Sequence, residues 1–516
     1  MASASIQWLP HSAWSQVRLD QSPFALGVAS GSPRHDSVVL WTRLMGDRLA
    51  SVPDVTVQWE VALDEAFARV VQRGQATARS ELAHAVHVEV PGLQPDRVYH
   101  YRFRLGGQGQ DWTSPVGRTR TLPTLDASVA RWRLAYASCQ RWEHGFFSAW
   151  RRMRDDAPDL VLFLGDYIYE YPTASRAVRQ TNGQWVITLG DYRERYALYK
   201  SDPDLQAMHA ACPWILTWDD HEVQNDYSGV NPGDSGPWEA NFLARRAQAY
   251  QAWYEHMPVR ASVLPRAMAS LAQGSPMRIH GSARIGQLAA IHLLDTRQYR
   301  DRQVCMPGGR FGSAMLDPET CAEWTNPART LLGREQEDWL SESLTRDTAR
   351  WQFIAQQTLF AQRDYRAGPP RTLWNDGWDG YAASRERITG VLAAQQRARP
   401  DFNAVFLGGD IHENWVGHVK TDYSRPTSPA VATEFCGTSI SSRSGASNAR
   451  VPERLAENPH FVFGDSEKRG YGIVDVQPQR ITTTLRTVDD ATRTDASVST
   501  LAQFAVASGQ PMVERL

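Results

Sequence analysis

From about residue 20 to residue 125, apolar and polar positions alternate over short runs separated by turn residues, as in SVVLWTRL, VTVQWEVAL, AVHVEV and RVYHYRFRL. Period-two alternation buries one side of each run and leaves the other wet, which predicts a small all-β sandwich. After the turn-rich TLPTLDASVA the pattern changes. RLAYAS, LVLFLGD, WILTWDD, AAIHLLD, WQFIAQQ, AVFLGGD and VATEFCG read as short buried strands, and helix-like stretches such as Arg245 to Glu255 and Gly333 to Leu344 lie between them. The pattern thus predicts an N-terminal extension over 1–19, a β-sandwich over 20–125 and an α/β catalytic domain over 126–516. In the last segment, Leu501, Phe504, Ala505 and Val506 have helical spacing; a helix there would either cover the active-site mouth or dock on a distant face.

Several of the apolar runs end in residues that bind metals. YASCQ places Cys139 after the first run of the α/β part, GDYIYE places Asp166 and Tyr169 after the second, TWDDHE supplies Asp219, Asp220, His221 and Glu222, and GGDIHENW supplies Asp410 and His412. One strand-terminal Asp usually does no more than cap the helix that follows it. Four such ends change the weighing, because carboxylates, imidazole, thiolate and phenolate converging on one crevice repel one another unless cations neutralise them. Open α/β sheets place their chemistry at strand carboxyl ends, so a polynuclear metal site is expected there.

Composition narrows the function classes. A chain of 516 residues with 42% hydrophobic content can fill two cores. Lys and Arg total 55 against 57 for Asp and Glu, so no bulk field attracts nucleic acid, and no sequence-specific nucleic-acid binding is expected. No apolar run is long enough for a membrane span. MASASIQWLP has neither a basic nor an apolar leader region, so the chain as given carries no export signal. Of five cysteines, Cys305 and Cys321 bracket a Gly/Pro-rich stretch where a loop staple is plausible, which points to an oxidising compartment, periplasmic or secreted. Cys212 and Cys436 read as inert core residues.

The ordered set SCQ, FLGDYIYE, YKSDPDLQ, TWDDHEVQNDYSG, LDTRQYRD, GGDIHENW and TEFCGTSISS resembles the PhoD-type alkaline phosphatases, a branch of the calcineurin-like metallophosphoesterases. GLQPDRVYHYRFRL resembles the corner and strand of a fibronectin type III sandwich. The resemblance implies a layered α/β/β/α core behind a fibronectin III-like domain, and hydrolysis of phosphate esters at alkaline pH by a cation-activated hydroxide. It implies monoesterase with phosphodiesterase activity; a phospholipase D-type phosphodiesterase is the alternative. A catalytically silent binding protein on the same scaffold is disfavoured, since each expected ligand position keeps a metal-capable residue.

By motif, the implied cofactors are Fe³⁺ and Ca²⁺, with Zn²⁺ or Mn²⁺ as alternatives. Iron would take Cys139, Asp166, Tyr169 and His412; calcium would take Asp166 as bridge, Asp410 and one of Asp219 and Asp220, with Asn225 a weaker candidate. His221 would act on the phosphoryl group, and Arg297 is either a phosphate fork or a structural ion pair. His144 either meets substrate or starts a helix. His209 reads as structural, and His418 lies outside the GDIH core.

Overall fold

The computed structural model describes residues 19–107 and 110–516. The extension assigned to 1–19 lies outside these residues except for Leu19, which is buried in the N-terminal core. In the N-terminal part, β1 (Val28–Gly31), β2 (Val38–Arg43) and β5 (Ala85–Val90) pair as an antiparallel group. A second sheet holds β3 (Asp54–Ala62), β4 (Val70–Arg79), β6 (Val98–Gly107), β7 (Gln110–Thr113) and β8 (Gly117–Arg120). Val38, Leu40 and Val86 from the first group meet Val57, Tyr101 and Phe103 from the second in one core. The backbone N–H of Gln94 donates to the Tyr99 hydroxyl at 2.8 Å and pins the corner that feeds β6.

The catalytic part opens with three parallel strands, β9 (Trp132–Ala137), β10 (Leu160–Leu164) and β11 (Trp214–Thr217), which therefore end at the same sheet edge. After them come β12 (Gly281–Ile285), β13 (Ala289–Leu293), the two-residue pair β14 (Met315–Leu316) and β16 (Leu373–Trp374), β15 (Trp351–Ala355), β17 (Asn403–Gly408), β18 (Asn414–Lys420), β19 (Ala430–Cys436) and β20 (Phe461–Asp465). The chain closes with β21 (Arg469–Val476), β22 (Arg480–Val488), β23 (Val498–Ala507) and β24 (Val513–Arg515). One sheet has ten strands in the order β24-β23-β22-β21-β9-β10-β11-β1-β2-β5, and the other has seven in the order β12-β13-β15-β17-β19-β18-β20.

The two sheets pack face to face. Leu134, Tyr136, Leu162 and Leu164 of one interlock with Ile291, Phe353, Val405 and Phe435 of the other. The alternate residues Ala135, Val161 and Phe163 face outward onto a core shared with α1 (Ser148–Asp155), α2 (Leu189–Lys200), α3 (Pro203–Ala211) and α4 (Phe242–His256). Ile354, Ala404 and Phe406 likewise face α5 (Arg334–Arg346) and α6 (Ala382–Ala398). Burial on both faces explains why these strands read as unbroken apolar runs; shortening one such side chain, as in Leu162→Ala, removes roughly 2–5 kcal/mol. The short α7 (Val451–Glu457) packs on β20.

The expected C-terminal helix is a strand. Residues 498–507 pair with β22, and Ala502, Phe504 and Val506 point into the inter-sheet core, a spacing of two. Leu501, Phe504 and Ala505 satisfy a helical pattern, but VSTLAQFAVA is rich in strand-forming residues and β22 presents an open edge to receive it. None of the residues lining the cavity described below comes from 501–516.

The N-terminal part is not hung on a linker. Gly31 of β1 pairs in parallel with Trp214 of β11, so β1, β2 and β5 continue the catalytic sheet. A Cβ at Gly31 would lie 2.4 Å from the Pro258 carbonyl oxygen, so only glycine allows this approach.

Candidate metal centre and active site

The strand ends deliver their polar side chains through strained backbone. Cys139, Asp166, Asp410 and His412 have φ of 58°, 58°, 65° and 56°, the left-handed region that costs non-glycine residues about 1–3 kcal/mol each. Two glycines let the ends close on one another: a Cβ on Gly165 would sit 2.5 Å from Asp219 Cβ, and one on Gly409 would sit 2.2 Å from Ser138 Oγ. Strain held at several converging positions needs reinforcement from the surroundings. Glu222, wholly buried, supplies part of it by accepting the backbone N–H groups of Asp166, Tyr167 and Asp219 at 3.2, 2.5 and 2.8 Å.

Three donor groups result, each with its ligand atoms within 4.8 Å of one another: Cys139, Asp166 and His412; Asp166, Asp220 and His221; Asp166, Asp219 and Asp410. Asp166 belongs to all three. The Tyr169 hydroxyl joins the first group, 2.9 Å from Asp166 Oδ2 and 3.1 Å from His412 Nε2, with Ser442 Oγ 2.8 Å away. His412 Nδ1 lies 3.0 Å from the Arg443 carbonyl oxygen; donation there leaves Nε2 as the free lone pair facing the cluster. Asp219 and Asp220 thus fall into different groups.

The electrostatics fit cations. Burial lifts the Asp166 and Asp219 carboxyls, the Cys139 thiol and the Tyr169 phenol well above their ordinary values, and lifts Asp410 to about 7. Burial drives His412 down to about 3, which keeps its imidazole neutral. Asp220 is the exception: burial opposes its charge, but Arg297 and His221 hold it below the carboxylate range. Asp166 Oδ1 and Asp219 Oδ2 are buried without a hydrogen-bond partner, which is costly for a carboxylate unless something positive faces it; Asp220 Oδ1 also lacks a hydrogen bond but has Arg297 Nη2 at 3.7 Å. A thiol, a phenol, an imidazole and a carboxylate on one side suit a highly charged transition metal, and the oxygen-only group of Asp166, Asp219 and Asp410 suits a hard cation.

His221 stands on the other side of Asp166. Its Nδ1 is 2.7 Å from Glu170 Oε2, and its ring lies over Tyr169 with centroids 4.1 Å apart. Burial disfavours its charge, but Glu170, Asp166 and Asp220 outweigh burial and hold it well above the usual histidine value. Glu170 Oε1 also accepts the backbone N–H of Asn225 at 2.8 Å.

These residues floor a cavity of about 680 Å³. Asp166, Asp220, His221, Asn225, Asp410 and His412 line it together with Arg363, Tyr365, Trp374, Arg450 and Arg454.

Two residues that the sequence left with alternatives take their places away from this cavity. Arg297 does not reach the cavity: it is 1% exposed, with Nε 2.5 Å from Asp219, Nη1 2.8 Å from Asp376 and Nη2 3.7 Å from Asp220. Its fork is saturated by protein carboxylates, so it is the structural ion pair and not a phosphate fork. His144 lines a neighbouring cavity, where its Nδ1 accepts the backbone N–H of Arg443 at 3.0 Å.

His209 stacks on Trp214 and bonds the Tyr167 hydroxyl at 2.8 Å, a core role, while His418 lies on β18 and accepts the backbone N–H of Val513. Cys305 and Cys321 are joined in a disulfide; Cys212 and Cys436 are free and buried. The sequence reading missed Glu170, Asp226 and Asp376. Asp226 follows Asn225 directly within a motif already singled out, and its left-handed φ of 57° gives no sign in the sequence; Asp376 follows a strand of only two residues.

The sequence profile of PhoD-like phosphatases matches residues 134–485, and that of their N-terminal domain matches residues 11–123. The chain is 43% identical over 493 residues to alkaline phosphatase D of Bacillus subtilis (strain 168), covering 93% of this chain and 80% of that protein. It superposes on a solved structure of PhoD with a TM-score of 0.88 and 41% identity, covering 97% of this chain and 93% of that one. A buried cluster of metal donors at the ends of parallel strands and likeness along almost the whole length lead to one assignment: the chain belongs to the PhoD-like phosphatase family and is a phosphoester hydrolase.

Proposed function

We propose that this phosphatase works with Fe³⁺ held by Cys139, Asp166, Tyr169 and His412, and with Ca²⁺ held by Asp166, Asp219, Asp220 and Asp410. The observation that carries the reading is that Asp166 is common to all three donor groups while its Oδ1 has no hydrogen-bond partner. Bound there, the cations would neutralise phosphoryl oxygens and acidify a water for in-line attack on phosphorus.

The chain supplies the rest. Glu170 holds the His221 imidazole by Nδ1, which turns Nε2 away from the carboxylate. A histidine held protonated in this way donates to a phosphoryl oxygen or to the departing ester oxygen. Tyr171, whose ring meets His221 edge to face with centroids 5.2 Å apart, limits the tilt of that ring. Arg297 neutralises Asp219 and Asp220 from behind, so fewer added positive charges are needed in front.

The cavity has room for a substituent on phosphorus beyond the reacting group, which supports phosphodiesterase activity beside phosphomonoesterase activity. The alkaline working range is carried over from the Bacillus subtilis relative. A periplasmic or secreted location is supported by the Cys305–Cys321 disulfide. Residues 20–125 are read as a fibronectin type III-like unit in front of a layered α/β/β/α catalytic unit over 126–516, supported by the Tyr99 corner and the two packed sheets.

Metal analysis of the purified protein, run beside paired monoester and diester assays, tests the reading. Iron and calcium should both be present, and a chelator should abolish both activities. Full activity in protein containing zinc alone would refute the assignment.

A further inference from the structure

Away from the metal centre, a cavity of about 190 Å³ opens where the end of β1, β11 and the exit of α4 face β12 and β13 of the other sheet. Its interior is apolar, formed by Leu216, Trp253, Val259, Ile279, Ile291 and Leu293. One wall is His280, which is 7% exposed and has no hydrogen-bond partner on either ring nitrogen. The ring is fixed by Trp339, with centroids 5.1 Å apart, and by Tyr299 edge to face at 5.7 Å. A buried imidazole held by aromatic packing and lacking any partner calls for one.

The mouth of the cavity is cationic. Arg34 and Arg278 are exposed and form no ion pair among the described residues. Arg260 is bound to Glu89 and Ser37, each at 3.0 Å, yet its buried Nε has no partner. Three guanidinium groups thus outnumber the two carboxylates near them, Glu89 and Asp36; the unsatisfied Arg260 Nε is a donor, and the His280 ring, whose charge burial disfavours, offers one N–H donor and one acceptor. A cavity of about 150 Å³ accommodates benzene, so this one has room for a ring inside with a charged group at its mouth.

We propose that this cavity is a binding site for a small organic anion with an apolar body, such as an aromatic carboxylate, separate from the phosphoester site. The ring or branched chain fills the apolar interior, and the carboxylate accepts from His280 and Arg260 between Arg34 and Arg278. The site rests on no feature of the catalytic centre.

Benzoate titrated calorimetrically into the metal-loaded enzyme tests this. A single saturable site is expected, with neutral benzyl alcohol at least tenfold weaker and KM for a phosphate ester unchanged at saturating benzoate. The double variant Arg34→Ala, Arg278→Ala should weaken benzoate at least tenfold, and Ala283→Phe, which fills the cavity from β12, should abolish binding; both should retain phosphatase activity. Should Ala283→Phe fail to fold, the arginine pair decides alone. Absence of saturable binding, equal binding of benzyl alcohol, a competitive rise in KM, or affinity indifferent to the arginine pair would each overturn the proposal.

Discussion

Nδ1 of His221 stands 2.7 Å from Glu170 Oε2, with the Glu170 carboxylate wholly buried. This contact fixes which nitrogen faces the cavity and keeps the ring charged. His221→Ala is expected to lower kcat by about 10² or more while iron and calcium contents hold. Glu170→Gln should lower kcat less and leave metal content intact, since it removes the orienting charge and not the donor. Loss of metal from His221→Ala would instead make His221 a ligand, as its place beside Asp166 and Asp220 allows.

Asp166 is the common member of the donor groups, so Asp166→Asn should lower both metals and turnover together. Cys139→Ser touches only the first group and should deplete iron with calcium retained. Cys212→Ser, in a separate apolar core, should change neither. Metal analysis and the visible absorption of thiolate- or phenolate-bound iron check all three.

Removing the buried Arg297 charge leaves buried Asp219 without its paired cation, while Asp376 keeps only Arg300. Arg297→Met should cost roughly 3–5 kcal/mol in denaturant unfolding. A substrate fork would behave differently: stability would hold and KM alone would rise.

Lys200 gives a pH dependence remote from the metals. It is 2% exposed, with Nζ 4.2 Å from the Trp41 ring centroid, and burial lowers its pKa from 10.5 to about 7. Between those two values the unfolded chain binds a proton that the folded chain lacks, so stability rises with pH across the window and the penalty is full below pH 7. The penalty there is of the order of 3–5 kcal/mol. Lys200→Met should therefore raise the melting temperature at pH 7 and flatten its rise toward pH 10. A pH-independent gain would refute the assignment.

The disulfide closes a loop with a sequence separation of 16. The paired change Cys305→Ser, Cys321→Ser should cost about 3 kcal/mol without altering metal content. Thiol counting on denatured, unreduced protein should find three reactive cysteines of five.

The strand ends at Cys139, Asp166, Asp219 and Asp410 were legible because strands buried on both faces leave unbroken apolar runs, and a polar residue ending such a run stands out. The direction of Arg297 was not legible. LDTRQYR specifies a guanidinium near the site but not which side of Asp219 it lies on; that depends on Asp376, 79 residues away. Glu170 could be seen beside Tyr169, but its role depends on a histidine 51 residues later. The C-terminal segment misled for another reason: it carries a helical spacing at Leu501, Phe504 and Ala505 together with a spacing of two at Ala502, Phe504 and Val506, and the free edge of β22 chose between them.

The seam at Gly31 and Trp214 makes the N-terminal part a stopper for the sheet as well as a neighbour of the enzyme. If a protease removed residues up to 125, β11 would lose its partner strand at Trp214 and become an open edge five residues before Asp219. Trp41, which donates from Nε1 to the Glu255 carbonyl oxygen at 3.0 Å, would leave a gap against α4 at the same time. Such a truncated enzyme would be prone to pair edge to edge with its own copies, so self-association would set in before any loss of ligands at the metal centre.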